Sequence, residues 1–218
     1  MSTYLSSRDH AVIDSINRLR HISSQQLQRL HFVESLEGKN SKDVTTRRVL
    51  ARLVGEGYVS RIERSSGSGF VYQPAGAKTR NIDLHQLDVS ELYVLLSEAE
   101  ARGECSLLEF TPEEPRGGVK ADAYIRLDLK NGKYSCFAEI DRATEYKPQL
   151  MKKLRAYSQA YDRATSPFPK VLWIVSFAPR DRYSERVNII KQLVSREPEP
   201  ELFDVLTLQD AVTQLLNS

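Results

Sequence analysis

Three carboxylates define the chemistry this chain could perform. Asp122 opens the segment ADAYIRLDL. After an Asn131-Gly132 turn, a second segment, YSCFAEID, ends in Glu139 and Asp141. Both segments read as strands, and strand side chains alternate faces, so Glu139 and Asp141 project the same way. A hairpin paired in register around Asn131-Gly132 brings Asp122 to the same edge. Three carboxylates at one edge repel one another unless something cationic sits among them. The candidates are a Mg²⁺-type ion, a Lys or Arg side chain, or water. A metal makes this a reaction centre; a side-chain cation makes it a polar network.

The elements that position these acids follow an alternating order. The segment LHQLDVSELYVLLSEAEARGE predicts a helix that starts at Ser90, with Leu92, Leu95, Leu96 and Ala99 as its buried stripe and Gly103 as its end. SLLEF predicts a strand, TPEEPRGGVK a loop, and then come the two acid-bearing strands. A helix is predicted from about Lys147 to Asp162, with Leu150, Leu154, Tyr157 and Tyr161 on one side. KVLWIVSFA is a continuous apolar run, as expected of a central strand buried on both faces. A helix (ERVNIIKQLVSR), a short strand (LFDVLTL) and a last helix (LQDAVTQLL) follow. A mixed sheet with helices on both sides is the economical packing.

The N-terminal third differs in charge and in pattern. Residues 1–80 hold 13 Lys or Arg against 7 Asp or Glu, a net +6, whereas the remainder is net −4. A basic module joined to a mildly acidic one suggests nucleic-acid binding by the first. Val12, Ile13, Ile16 and Leu19 fall at helical spacing, with Ser6 or Ser7 as the cap. A second helix begins at Ser23-Ser24 and turns Leu27, Leu30 and Phe32 to one face. A third, SKDVTTRRVLARLVGEG, carries Val44, Val49, Leu50, Leu53 and Val54 and stops at Gly57. YVSRIERS and FVYQP flank a Ser-Gly tip, which reads as a hairpin. His31 is expected to be a packing or surface residue rather than a ligand, and His85 a hydrogen-bonder at the domain boundary rather than a catalyst. Pro74 to Arg80 is a plausible junction, giving domains 1–78 and 79–218.

Composition narrows the remaining classes. No apolar run approaches the ~18–20 residues of a membrane span, and MSTYLSSRDH lacks a signal-peptide apolar core. Cys105 and Cys136 are the only cysteines and have no metal-ligand spacing. A cytoplasmic protein is expected.

Three helices and a hairpin resemble the winged helix-turn-helix superfamily over roughly residues 7–75. The resemblance implies that the third helix is a recognition helix. Ser41, Lys42, Thr45, Thr46, Arg47 and Arg48 would then face DNA, where hydroxyls suit phosphates and Arg suits phosphates or guanine edges. Arg61 and Arg64 flank the wing tip and would meet the backbone or the minor groove. A winged helix used only for protein contacts is the alternative.

The order of the second half, with an acid opening one strand and Glu-x-acid ending the next, is similar to the PD-(D/E)xK nuclease superfamily. That resemblance implies an α/β/α restriction-endonuclease-like domain. There the carboxylates hold a divalent metal that polarises the phosphate, and a lysine stabilises the developing charge. This chain has Ala121 where proline usually precedes the aspartate, and Asp141 where the lysine belongs. A carboxylate cannot stabilise a phosphorane, so Asp141 either ligates metal or pairs with a cation. Lys152 and Lys153 follow on the next helix, and a lysine supplied from there could substitute in space. If the site cleaves, Asp122, Glu139, Asp141 and Lys153 are its catalytic set. Asp122, Glu139 and Asp141 would then hold Mg²⁺ or Mn²⁺. If it is a relic, the same residues form a network without turnover and need no cofactor.

FAEIDRATE followed by KLRAYSQAY further resembles the replication-relaxation family of plasmids, integrative elements and phages. The matching positions are Glu139, Asp141, Arg142, Ala143, Thr144, Glu145, Lys153, Leu154 and Tyr157, with Ala143 in place of the commoner glycine. Tyr157 is expected to pack or to bond the acids rather than to act as a nucleophile. The resemblance implies a role in plasmid DNA replication or relaxation; with the net +6 of residues 1–80 and Asp141 at the lysine position, the expectation is a sequence-specific double-stranded DNA-binding protein of a mobile element, acting in replication, transfer or regulation, with a degenerate nuclease-like domain. A metal-dependent endonuclease or nickase and a repressor with a dimerising second domain are the alternatives. Expected partners are duplex DNA, a second copy of the chain, and replication or transfer proteins.

Overall fold

The computed structural model describes residues 4–33, 39–64, 69–113 and 115–218, with the side chains of 39–42 outside the description. The chain divides into two compact units, Met1–Glu98 and Ala99–Ser218. Its class is α/β. Among the described residues no helix is long and apolar enough to cross a membrane.

The first unit begins with α1 (Ser7–Leu19), the two-residue strand β1 (Ile22–Ser23), α2 (Ser24–His31) and α3 (Lys39–Gly55). Ser6 and Ser23 cap the first two helices through reciprocal bonds with Asp9 and Gln26. Arg52 of α3 reaches Asp9 at 2.5 Å, tying the third helix to the start of the first. Gly57 ends α3 as expected. With φ +79 it sits in the left-handed region, its N–H bonds Val54 O, and the Tyr58 N–H bonds Leu53 O. Strands β2 (Val59–Glu63) and β3 (Phe70–Pro74) then form the hairpin, and β1 adds to β3, giving the order β1-β3-β2. The hairpin tip, 65–68, lies outside the described residues.

The helix α4 (Leu84–Ala101) departs from expectation at its start. Its cap is Asp83, whose carboxylate accepts from the Gln86 N–H, and Ser90 lies in the second turn. Ser90 is fully buried because its hydroxyl donates to the His21 carbonyl at 2.6 Å. Gln26 bonds Leu87 O and Glu91, while Arg29 pairs with both Glu91 and Glu98. Most of α4 therefore packs with the N-terminal helices. The break between the units falls twenty residues beyond the junction expected after residue 78.

The second unit holds β4 (Ser106–Pro112), the short pair β5 (Pro115–Arg116) and β6 (Val119–Lys120), β7 (Ala123–Leu129) and β8 (Gly132–Asp141). Then come α5 (Lys147–Asp162), β9 (Lys170–Val175), α6 (Tyr183–Val194), β10 (Phe203–Thr207) and α7 (Leu208–Leu216). The five-stranded sheet runs β10-β9-β8-β7-β4. Its β4-β7-β8 half is antiparallel and its β8-β9-β10 half parallel, so the sheet is mixed. Phe137, Val171, Trp173 and Val205 share one core with Leu150, Leu154 and Tyr157 of α5 and with Ile190 and Leu193 of α6.

The hairpin register differs by one turn position from the sequence expectation. Leu129 pairs with Gly132, so the loop residues are Lys130 and Asn131. Ala123 therefore pairs with Ala138, and the next step of the register sets Asp122 level with Glu139.

Candidate functional site

Glu139 and Asp141 lie on the face of β8 that also carries Phe137, under α5 and α6. Both are buried, at 3% and 4% exposure. Carboxylates this deep need partners on every oxygen. Asp141 has them: Arg186 of α6 grips both its oxygens at 2.7 Å, and the Ala143 N–H adds a bond at 3.2 Å. Arg186 also donates to the Glu145 carbonyl at 3.1 Å. Glu139 takes a 2.6 Å bond from the Tyr157 hydroxyl on one oxygen and Lys153 at 3.3 Å on the other. Lys153 also pairs with Glu145 at 3.0 Å. Asp122, half-buried at the head of β7, accepts from the Ile140 N–H at 2.7 Å.

Side-chain cations therefore meet both buried acids, Lys153 at Glu139 and Arg186 at Asp141. Lys153 was a candidate from the sequence. Lys152, one residue along and turned about 100° round the helix, is exposed. Arg186 escaped the sequence reading, although one signal was present. It precedes Ile190 and Leu193 at spacings of four and seven, so a guanidinium stands on the buried stripe of α6. Tyr157 packs in the core and its hydroxyl donates to Glu139, as expected.

The electrostatics follow from burial. Loss of water and then the neighbouring Asp122 push the Glu139 carboxyl up to about 7, against the pull of Lys153 and Tyr157. Burial, then Glu139, raises the Tyr157 hydroxyl far above its usual range. Partial burial would lower Lys153, but Glu139, Asp122 and Glu145 together hold its ammonium above the ordinary value.

A hard divalent ion needs several carboxylate oxygens free at once. Here both Asp141 oxygens are held by one guanidinium, and both Glu139 oxygens by Tyr157 and Lys153. Among the described residues no three His, Cys, Asp or Glu side chains are grouped to hold a metal. The set Asp122, Glu139 and Asp141 does not fit a metal in this packing.

The second cluster lies in the first unit. Thr46, Leu50 and Leu53 form the buried stripe of α3, and Arg47 and Arg48 are exposed. Val44, expected in the core, is 53% exposed. Thr46 corrects the expected DNA-facing set. It is 3% exposed because it occupies the stripe four residues before Leu50, so little of its side chain reaches the surface, although it lines the cleft that Arg47 and Arg61 share. Thr45 is half-buried. Lys42 and Ser41 belong to the α3 backbone, but their side chains lie outside the described residues. Arg47 and Arg61 line one cleft of about 750 Å³ with Ser24, Gln28 and Phe70. The Arg61 guanidinium lies 4.0 Å above the Phe70 ring. Arg64 is half-buried and closes the hairpin through its N–H to Gly69 O. His31 bonds Ser15 at 2.9 Å; burial, then Arg8, lowers it to about 4, as expected of a packing residue.

The replication-relaxation family model matches residues 13–78 and 71–171, well over half of the chain. The chain belongs to the replication-relaxation family. Comparison with curated proteins and with solved structures found no significant match. The match takes in the basic helix α3, the carboxylates and Lys153, and stops before Arg186. Within this replication-relaxation chain the run EIDRATE has a physical reading. It ends β8, buries two acids, and turns sharply at Ala143, whose φ of +55 lies in the left-handed region. Glycine suits that conformation and alanine is strained there. Ala143→Gly should therefore raise stability by about 0.5–1 kcal/mol, seen as a higher urea midpoint. A lower midpoint would refute the strain at this turn.

Proposed function

We propose that this replication-relaxation protein binds double-stranded DNA of a mobile element through a winged helix-turn-helix spanning residues 1–78. The reading rests on one arrangement. The stripe Thr46, Leu50 and Leu53 anchors α3, so Arg47 and Arg48 project outward, and Arg61 of the hairpin shares the Arg47 cleft. The net +6 charge of residues 1–80 supports it. The second half is a nuclease-like α/β domain whose acid cluster acts as an internal strut, because Glu139 and Asp141 are buried and their oxygens are bound by the protein's own Arg186, Lys153 and Tyr157.

The test is fluorescence anisotropy with the duplex that flanks the protein's own gene, at low and moderate salt. Arg47→Ala or Arg48→Ala should weaken binding by ~1–3 kcal/mol where the side chain reads a base. Where it meets a phosphate, the variant should lower the salt slope by about one. No affinity for the flanking duplex at low salt would sink the proposal. Incubation with supercoiled plasmid and Mg²⁺ or Mn²⁺ tests the strut. Relaxation that Glu139→Ala abolishes would show a cleaving site instead.

A further inference from the structure

The ends of β8 and β9 are sewn together. The Ser176 N–H donates to the Asp141 carbonyl at 2.9 Å, and Arg186 holds both the Asp141 carboxylate and the Glu145 carbonyl. The loops that leave these strands, 142–146 and 176–182, therefore share a fixed base. Three non-glycine residues in them adopt left-handed backbone: Ala143, Arg180 and Asp181, with φ of +55, +57 and +54. Such conformations cost stability and persist where the surroundings over-determine them, often where a surface has a task.

The surface they hold has a specific chemistry. Tyr146 is 79% exposed and Phe177 is 43% exposed. The Arg142 guanidinium lies over the Phe177 ring, 5.1 Å from its centre. Lys147, next in sequence to Tyr146, and Arg180, in the 176–182 loop, are also exposed. The nearby acids are mostly matched within the protein: Glu145 by Lys153 and Glu185 by Arg182. Asp181 remains exposed. Two exposed aromatic rings on a surface that also carries Arg and Lys suit a strand whose bases are unpaired. Rings stack on base faces and cations meet phosphates, whereas a duplex hides its base faces.

We propose that this end of the second unit binds single-stranded DNA, with Tyr146 and Phe177 stacking on bases and Arg142, Lys147 and Arg180 on the backbone. These residues belong to the second unit and α3 to the first, so variants in each unit test the two proposals apart.

The experiment uses the full chain and a labelled oligothymidylate of about 20 nucleotides, longer than one site of this kind. Anisotropy should show that Tyr146→Ala and Phe177→Ala each weaken binding by roughly tenfold or more. Tyr146→Phe and Phe177→Tyr, which keep a ring and the packing, should bind as the wild type does. Duplex affinity should stay unchanged in all four variants, while Arg47→Ala should lower duplex affinity alone. Three results would overturn the proposal: no binding of oligothymidylate by the wild type, undiminished binding by both alanine variants, or tighter binding of the matching oligouridylate.

Discussion

Arg186→Leu should destabilise the protein by about 3–5 kcal/mol, the cost of leaving a buried carboxylate without its partner. Asp141 has a side-chain exposure of 2% and Arg186 of 13%, so water cannot take over the guanidinium's role. The same substitution frees the Glu145 carbonyl and loosens the turn after β8. Urea unfolding of the full chain measures the loss. The double variant Asp141→Leu with Arg186→Leu should recover much of it, because no buried charge is then stranded. A single variant that unfolds at the wild-type midpoint would refute the buried pair, and so would a double variant no better than the single.

The second large effect is a stability that falls as pH rises. Glu139 is pushed up to about 7 in the folded protein, chiefly by burial and then by Asp122. In the unfolded chain a glutamate titrates near 4.3. The folded state thus binds the proton more tightly between those values. Its contribution is complete below the unfolded pKa and is lost as pH rises through about 7. The decline should total about 3–4 kcal/mol. Glu139→Gln cannot titrate, so its unfolding free energy should lack this component between pH 4.5 and 8. Identical pH profiles for the variant and the wild type would show that Glu139 is not the group responsible. Lys153 keeps Glu145 in the variant, which limits the loss from its other partner.

Both effects show where sequence reasoning reached and where it stopped. The helix Lys147–Asp162 and the helix Leu208–Leu216 were legible from periodicity, because each needs only its own residues to face one core. Gly57 and Gly103 ended their helices as read, since a left-handed cap is a local demand. Ser90 misled: its hydroxyl resembles a cap, but it is spent on the His21 carbonyl far away in sequence. Thr46 misled in the opposite sense, since a hydroxyl among arginines reads as surface yet sits on the stripe that anchors α3.

The sequence by itself determined the α/β class, the family, and that Glu139 and Asp141 share one face of a strand, because alternation is a local rule. Which cation answers each acid was decided only by the tertiary structure. Lys153 lies 14 residues from Glu139, and Arg186 lies 45 residues from Asp141. They meet only once α5 and α6 cross the same face of the sheet. Burial then makes each pairing strong, and burial is a property of the packed chain rather than of any segment.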